Sequence, residues 1–196
     1  MKVLKVVSLV CLSLFAVSCA TTGKTAGSPP PKLYCTDGRE APRWVFVGAA
    51  AFPGDRGKVF YGTGSAAGIS DVSLRNETAD NRAIGDLAKS FKVAVKSLMN
   101  DYSASTSAGD KEAAEKHIEK VQKTVVDQTL SGVQVSDRCE ETTKGTTYSL
   151  VRLATDDFKD AVAKNKELGQ KMQEYVKANA DKAFEKLDKE TAKSAE

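Results

Sequence analysis

The spacing of apolar residues divides the chain into strand-like and helix-like segments. Short runs rich in β-branched and aromatic residues occupy residues 44–47 and 58–64, on either side of a Pro-Gly-Asp-Arg-Gly turn, and this predicts a pair of strands. Apolar residues then recur every three or four positions over residues 84–102 and again over residues 114–130. This spacing predicts two amphipathic helices.

Two further strands and a long helix complete the predicted fold. Residues 133–139 alternate in polarity, whereas residues 147–153 are more continuously apolar, so the second run is predicted to be the central strand of the pair. The element order is β-β-α-α-β-β-α. We therefore predict an α+β domain with a small antiparallel or mixed sheet and helices on one face.

The last helix is expected to extend beyond the rest of the domain. A continuous helix over residues 156–190 would be about 50 Å long, whereas strands are about 20 Å long. Because the apolar stripe narrows toward the end of the chain, residues 178–196 are predicted to project as a helical arm. Such an arm either binds a partner in a groove or is a solvated helix end.

Residues 1–18 are organised like a bacterial export signal. Lys2 and Lys5 precede an apolar segment at residues 6–17 that is short for a helix spanning a bilayer. The sequence Leu-Phe-Ala-Val-Ser-Cys then resembles the lipobox of bacterial lipoproteins, with Ala16 in place of the usual Leu. The resemblance implies acylation of Cys19 and cleavage before it. The alternative is a secretory signal that is cut after Ala-Val-Ser.

Acylation places the protein on a membrane, because two or more acyl chains give stable attachment. Cys19 is followed by Ala20 and not by Asp, which favours the periplasmic side of the outer membrane in the common sorting scheme. The predicted organisation is a lipoprotein signal peptide at residues 1–18, the lipidated cysteine and a flexible tether at 19–34, the α+β domain at 35–165 and a C-terminal charged helix at 166–196.

Composition limits the function classes. The 196 residues are 41% hydrophobic and 28% charged, which is ordinary for one globular domain and unlike a polytopic membrane protein or a disordered chain. Removal of residues 1–18 takes away two lysines, so the net charge falls from +3 to +1. This near-neutral balance gives no support for nucleic-acid binding.

The four cysteines are predicted to have different fates. Cys11 leaves with the signal and Cys19 carries the lipid, so Cys35 and Cys139 remain as a pair in an oxidising compartment. A disulfide between them would close a loop of 105 residues. The alternative is two thiols, whereas zinc is disfavoured because the chain has no CxxC motif and only one histidine, His117.

Four short motifs carry a family resemblance. They are Pro-Arg-Trp-Val at residues 42–45, Tyr-Gly-Thr-Gly-Ser at 61–65, Ala-Asp-Asn-Arg-Ala at 79–83 and Tyr-Ser-Leu-Val-Arg-Leu at 148–153. Together they resemble the outer-membrane lipoprotein family typified by the twenty-kilodalton lipoprotein antigen of gastric pathogens, over roughly residues 42–165. The resemblance implies a small periplasmic α+β domain with no established enzymatic activity. Some relatives serve the flagellar envelope apparatus.

Three features are candidates for chemistry. The sequence Gly-Thr-Gly-Ser-Ala-Ala at residues 62–67 matches a dinucleotide fingerprint but lacks the second strand with its acidic residue, so its glycines are interpreted as packing sites. Trp44 is either a sugar-stacking platform or, as we favour, a core anchor. His117 has no partners at catalytic or metal-binding spacing. We therefore predict no catalytic residue, metal or cofactor.

The predicted function is a structural or protein-binding role at the outer membrane, without enzymatic activity. The predicted partners are the membrane, through the lipid anchor, and a periplasmic or outer-membrane protein, but neither nucleic acid nor nucleotide. One alternative is a regulator or scaffold of an envelope machine such as the flagellar or peptidoglycan-synthesis apparatus. A second is an envelope hydrolase, which would require His, Asp, Glu or Ser side chains that converge in one cleft.

Overall fold

The computed structural model describes residues 32–105, 111–166 and 168–193. It confirms a mixed α+β fold with an antiparallel sheet and a long C-terminal helix. In chain order, the elements are α1 (Trp44–Val47), two 3₁₀ turns (Gly48–Ala51 and Pro53–Asp55), β1 (Val59–Ala66), α2 (Val72–Ser105), α3 (Lys111–Leu130), β2 (Gln134–Glu140), β3 (Thr147–Ala154), α4 (Thr155–Lys164) and α5 (Gln170–Lys193).

The described sheet has three strands in the order β1-β3-β2. The most continuously apolar strand, β3, lies in the centre as predicted, because a central strand is covered on both faces. Its register with β1 runs without interruption from Val59 opposite Ala154 to Ala66 opposite Thr147. The pairing of β2 with β3 shifts between Val135 and Asp137, as at a β-bulge.

One face of the sheet packs against the long helices. Phe60 of β1 makes edge-to-face contacts with Phe91 of α2 and Phe184 of α5, with ring centroids 5.3 and 4.9 Å apart, an arrangement that aromatic rings favour. Val151 and Leu153 of β3 belong to the same buried cluster. This cluster is the main hydrophobic core, and it also includes apolar residues of α3 and α4.

The opposite face of the sheet is covered by the N-terminal segment of the domain. Its smaller cluster contains Cys35, Ala41, Trp44, Cys139 and Leu150. The sheet is therefore buried on both faces at β3, with long helices on one side and residues 33–52 on the other.

Residues 44–47 form a short helix, so the strand predicted there is wrong. In a strand, Trp44 and Phe46 would point to the same face, but only Trp44 is buried, and Phe46 is 62% exposed. A run of four apolar residues fits a strand or a helical turn equally well. Burial of the Trp44 indole against the sheet decided between them, and β1 consequently has one strand neighbour and not two.

The C-terminal helix is broken, and the prediction of a projecting arm is wrong at least as far as Phe184. The chain leaves helical geometry at Asn165, which has extended backbone angles, and α5 begins at Gln170. Because of this break, α5 packs against α2 and α4 and does not continue the axis of α4. Phe184 has no exposed surface and lies 5.3 Å from the Phe158 ring.

Candidate functional site

The described domain begins beside the predicted tether. Cys19 lies outside the described residues, so its acylation stays a prediction. The first described residue, Lys32, is exposed. The carbonyl of the next residue, Leu33, accepts a hydrogen bond of 2.8 Å from the backbone N–H of Ala41. The chain is thus attached to the domain from Leu33 onward.

A disulfide lies close to this point. The structure contains the predicted bond between Cys35 and Cys139, with their Cα atoms 5.1 Å apart and both residues buried. The backbone N–H of Thr36 also donates to the carbonyl of Glu140 at 2.8 Å. The disulfide and this hydrogen bond therefore tie the segment that follows the tether to strand β2.

Asp137 organises a polar cluster on the same face of the sheet. The Trp44 indole Nε1 donates to Asp137 Oδ2 at 3.0 Å, and Arg39 donates to both carboxylate oxygens at 3.0 and 2.7 Å. Partial burial alone would raise the pKa of Asp137, but the hydrogen bonds from Arg39 and Trp44 outweigh it and lower the pKa. Trp44 is 4% exposed, which supports the core-anchor interpretation over a sugar-stacking platform.

Asp80 organises a second cluster between α2 and the other face of the sheet. Arg138 binds both of its oxygens through Nε and Nη2, at 2.9 and 2.6 Å, and Ser149 Oγ donates to Oδ1 at 2.6 Å. Burial opposes ionisation here too, but the hydrogen bonds from Arg138 and Ser149 lower the pKa of Asp80. The carboxylate is therefore stabilised as an acceptor that joins α2 to β2 and β3.

Arg75 extends these contacts along the first turns of α2. Its guanidinium is largely buried, donates to Thr147 Oγ1 at 3.1 Å and to the Ile69 carbonyl at 3.0 Å, and pairs with Glu140. No pattern in the sequence points to Arg75. An arginine at the start of a helix resembles any solvated charge, and only the packing of α2 on the sheet reveals its role.

Two side chains of α2 occupy the outer edge of β1. Asp86 Oδ2 accepts from the backbone N–H of Thr63 at 3.1 Å, and Arg82 Nη1 donates to the carbonyl of Ser65 at 2.5 Å. Unpaired backbone groups on an edge strand invite pairing with another chain. Arg82 and Asp86 satisfy two of these groups, and Arg82 belongs to the Ala-Asp-Asn-Arg-Ala motif.

The glycines of the dinucleotide-like motif pack against a helix. A Cβ atom on Gly62 would lie 2.6 Å from Leu87 Cβ, and one on Gly64 would lie 2.8 Å from Arg82 Cβ. The backbone of α2 thus fills the space in front of both glycines. This finding supports their interpretation as packing sites and leaves no room there for a pyrophosphate.

The remaining candidate chemistry does not converge on a catalytic centre within the described residues. Ser149 and Asp80 are hydrogen-bonded, but Ser149 has no exposed surface, and a carboxylate whose pKa is lowered is a weak general base. His117 lies in α3 outside the side chains that the structure describes, so its interpretation stays a prediction.

A groove of about 750 Å³ between α2 and α3 is lined by side chains of both charges, including Lys92, Lys96 and Asp127.

Comparison with known proteins identifies the family. A model of the LPP20 lipoprotein family matches residues 42–154, which is more than half of the 196-residue chain. The chain belongs to the LPP20 lipoprotein family. No curated protein matches the chain significantly.

The LPP20 match includes all four motifs and ends with strand β3. It therefore covers the sheet, α2 and the polar cluster around Asp80. Of the cluster around Asp137 it covers Trp44 and Asp137, whereas Arg39 precedes the match. Helices α4 and α5 follow the matched region, although Phe158 and Phe184 belong to the main core. Membership of the LPP20 family associates the protein with the cell envelope, and this family is not known for enzymatic activity.

Across the described ranges of this LPP20 protein, no helix is both long enough and apolar enough to cross a membrane. The most exposed large apolar side chain among the described residues is Phe46, which lies near the start of the LPP20 match.

Proposed function

We propose that this protein is an outer-membrane lipoprotein, held on the periplasmic side by acylated Cys19, with a structural or protein-binding role. The observation that carries the proposal is an LPP20 domain placed directly behind a lipobox-like sequence. The lipobox-like sequence supports the lipid anchor, and the family match supports the association with the envelope. Outer-membrane placement is supported by Ala20, which is not the retention residue Asp.

The way the chain enters the domain supports a tethered role. Only 13 residues separate Cys19 from Leu33, and a chain of this length spans at most about 45 Å. The disulfide at Cys35 then joins the entering segment to strand β2. A domain held in this way stays near its membrane and resists peeling of its N-terminal segment from the sheet.

The polar clusters favour a structural or binding role for the protein over a catalytic one. Asp80, Asp137 and Arg75 each join two or more elements through hydrogen bonds. Groups that catalyse reactions are usually accessible to substrate and have a pKa close to the working pH. Asp80 and Asp137, whose pKa values are lowered, have the properties of structural acceptors.

The anchor is tested by Cys19→Ala in cells that are fed a clickable fatty acid. The variant should lose lipid labelling and accumulate as a precursor outside the outer-membrane fraction, because the thiol is the acylation nucleophile. Cys11→Ala is the matched control, since that residue leaves with the signal, and it should be labelled like the wild type. Normal maturation and fractionation of Cys19→Ala would show that the anchor is assigned wrongly.

Membrane sorting is tested separately with Ala20→Asp. On a sucrose gradient, the wild type should sediment with outer-membrane markers, and Ala20→Asp should shift to the inner-membrane fractions. Lipid labelling should be equal in both proteins. If the wild type itself sediments with the inner membrane, the outer-membrane placement is wrong while the lipid anchor stands.

A further inference from the structure

An apolar patch is exposed on the N-terminal segment of the domain. It consists of Phe46, Val47, Ala49 and Ala50, of which Phe46 is 62% and Val47 43% exposed. Residues 44–54 contain no charged side chain. Scattered apolar residues on a surface are common, whereas a consecutive uncharged group of this kind is typical of an interaction surface.

The helix α1 creates this patch by separating its apolar side chains. Trp44 points into the smaller hydrophobic cluster and hydrogen-bonds to Asp137, so it holds α1 against the sheet. Phe46, two positions along the same helix, is left on the outside. The buried Trp44 therefore holds the exposed patch in a fixed position on the sheet.

The patch lies close to the point where the tether joins the domain. The backbone hydrogen bond between Ala41 and Leu33 brings the start of the described chain beside Ala41. Phe46 lies five positions after Ala41 in the chain, a distance of at most about 18 Å. The 13 residues between Cys19 and Leu33 are long enough for this end of the domain to touch the bilayer that holds Cys19.

The charges around the patch favour an anionic surface. Residues 32–58 contain five basic and three acidic residues, so this stretch of the chain has a net charge of +2. The charge is +1 when Asp137, the partner of Arg39 and Trp44, is included. Arg43 precedes the patch and Lys58 follows it, and both are exposed. Basic side chains beside an apolar surface are attracted to anionic lipid headgroups.

We infer that the patch of Phe46, Val47, Ala49 and Ala50 rests on the phospholipid surface, with Phe46 at the boundary of headgroups and acyl chains. The inference rests on the proposed function, because it needs the lipid anchor. A patch this small binds a bilayer weakly when the protein is in solution. The tether makes the contact intramolecular, and the resulting high effective concentration favours the bound state.

The test uses the mature protein, produced from the full chain in bacterial cells, in vesicles of phosphatidylethanolamine and phosphatidylglycerol that contain lipids brominated on their acyl chains. Bromine quenches tryptophan fluorescence only at short range. Phe46→Trp places a reporter in the patch, and Val93→Trp is the matched control, since Val93 is 55% exposed on α2. Trp44, the only native tryptophan, contributes a background common to both proteins.

The emission added by Phe46→Trp should be quenched at least twofold more than the emission added by Val93→Trp. Adding Ala50→Glu to the Phe46→Trp protein should bring quenching down to the control level, because a carboxylate at this exposed position is repelled from acyl chains. If Phe46→Trp lowers the thermal midpoint, Val47→Trp replaces it as the reporter.

Equal quenching of the two reporters would overturn the inference. Protection of the Phe46→Trp reporter from aqueous acrylamide without quenching by bromine would also overturn it, and would show that a second copy of the chain covers the patch. Flotation of the vesicles distinguishes failure of the lipid anchor from failure of the contact between the patch and the bilayer. Protein that floats without preferential quenching refutes the patch contact alone, whereas protein that does not float refutes the lipid anchor.

Discussion

At the scale of single residues, the sheet is joined to its surroundings by carboxylates on both faces. Asp137 receives the indole N–H of Trp44 and the guanidinium of Arg39 on one face. Asp80 receives Arg138 and Ser149 on the other. In both cases the hydrogen bonds overcome partial burial, so each carboxyl has a lowered pKa.

These lowered pKa values predict acid sensitivity. A carboxyl with a folded-state pKa below its unfolded value of 3.8 stabilises the protein above that value, and the contribution is lost as the pH falls through the folded pKa. The free energy of unfolding should therefore decrease between about pH 5 and pH 3. Urea titrations that follow circular dichroism at several pH values measure it.

The variant Asp80→Asn/Asp137→Asn identifies the groups responsible. It should be less stable than the wild type at pH 7 and should lose less stability on acidification, because the two groups no longer titrate. Glu77→Gln, an exposed substitution on α2, is the control and should follow the wild type. The same pH dependence in the double variant as in the wild type would assign the acid sensitivity to other carboxyls.

At the scale of elements, the contact between β1 and α2 depends on small residues. Gly62 and Gly64 face the helix at positions where a Cβ would collide with it, and Ala79 and Ala83 of α2 are fully buried. Helix and strand backbones therefore approach closely. This approach also places Arg82 and Asp86 where they reach the edge of β1.

A methyl group at Gly62 should disrupt this contact. Its carbon would lie 2.6 Å from both Leu87 Cβ and Leu87 N, so we expect Gly62→Ala to cost about 1–3 kcal/mol or more of unfolding free energy. Gly85→Ala is the control, because nothing lies within 4 Å of its added Cβ and it should stabilise α2 by roughly 0.5–1 kcal/mol. Thermal and urea unfolding measure the stability of both variants. If Gly62→Ala were as stable as the wild type, the close approach of β1 and α2 would be contradicted.

At the scale of the whole molecule, residues far apart in the chain form one core. Phe60, Phe91, Phe158 and Phe184 come from β1, α2, α4 and α5 and meet with ring centroids between 4.9 and 6.3 Å apart. Helix α5 is therefore part of the folded core although it follows the LPP20 match.

Truncation of Phe184 tests the place of α5 in this core. Phe184→Ala should cost about 3–5 kcal/mol because it leaves a cavity among three other aromatic rings. Lys182→Ala, an exposed change on the same helix, should alter stability by no more than about 0.5 kcal/mol. If Phe184→Ala unfolds at the same urea concentration as the wild type, then α5 is a dispensable appendage.

The disulfide is a second long-range constraint. It joins residues 104 positions apart, so its reduction should cost about 2–5 kcal/mol, largely by freeing the unfolded chain. The thermal midpoint should fall when a reductant is added. In Cys35→Ser/Cys139→Ser the midpoint should start low and show no response to the reductant, and a wild type that is equally unresponsive would show that the bond contributes little.

The sequence determined the strands and helices that have enough length to show a period. Strand β2 follows from alternating polarity, and strands β1 and β3 follow from short runs of strand-forming or continuously apolar residues. Helix α2 follows from apolar residues at every third or fourth position. The pairing of Cys35 with Cys139 followed from counting the cysteines that remain after export. The four motifs sufficed to predict the lipoprotein family.

Packing between distant segments settled the cases in which a short run or a charged residue fits more than one structure. A run of four residues is too short to show a period. Residues 44–47 form a helix because this places Trp44 against the sheet, where it donates a hydrogen bond to Asp137. The end of the chain turned back because Phe184 gains more by burial with Phe60 and Phe158 than by exposure on an arm. The roles of Arg75, Asp80 and Arg82 depend on which strand lies beside α2, and this proximity arises only when segments distant in sequence pack together.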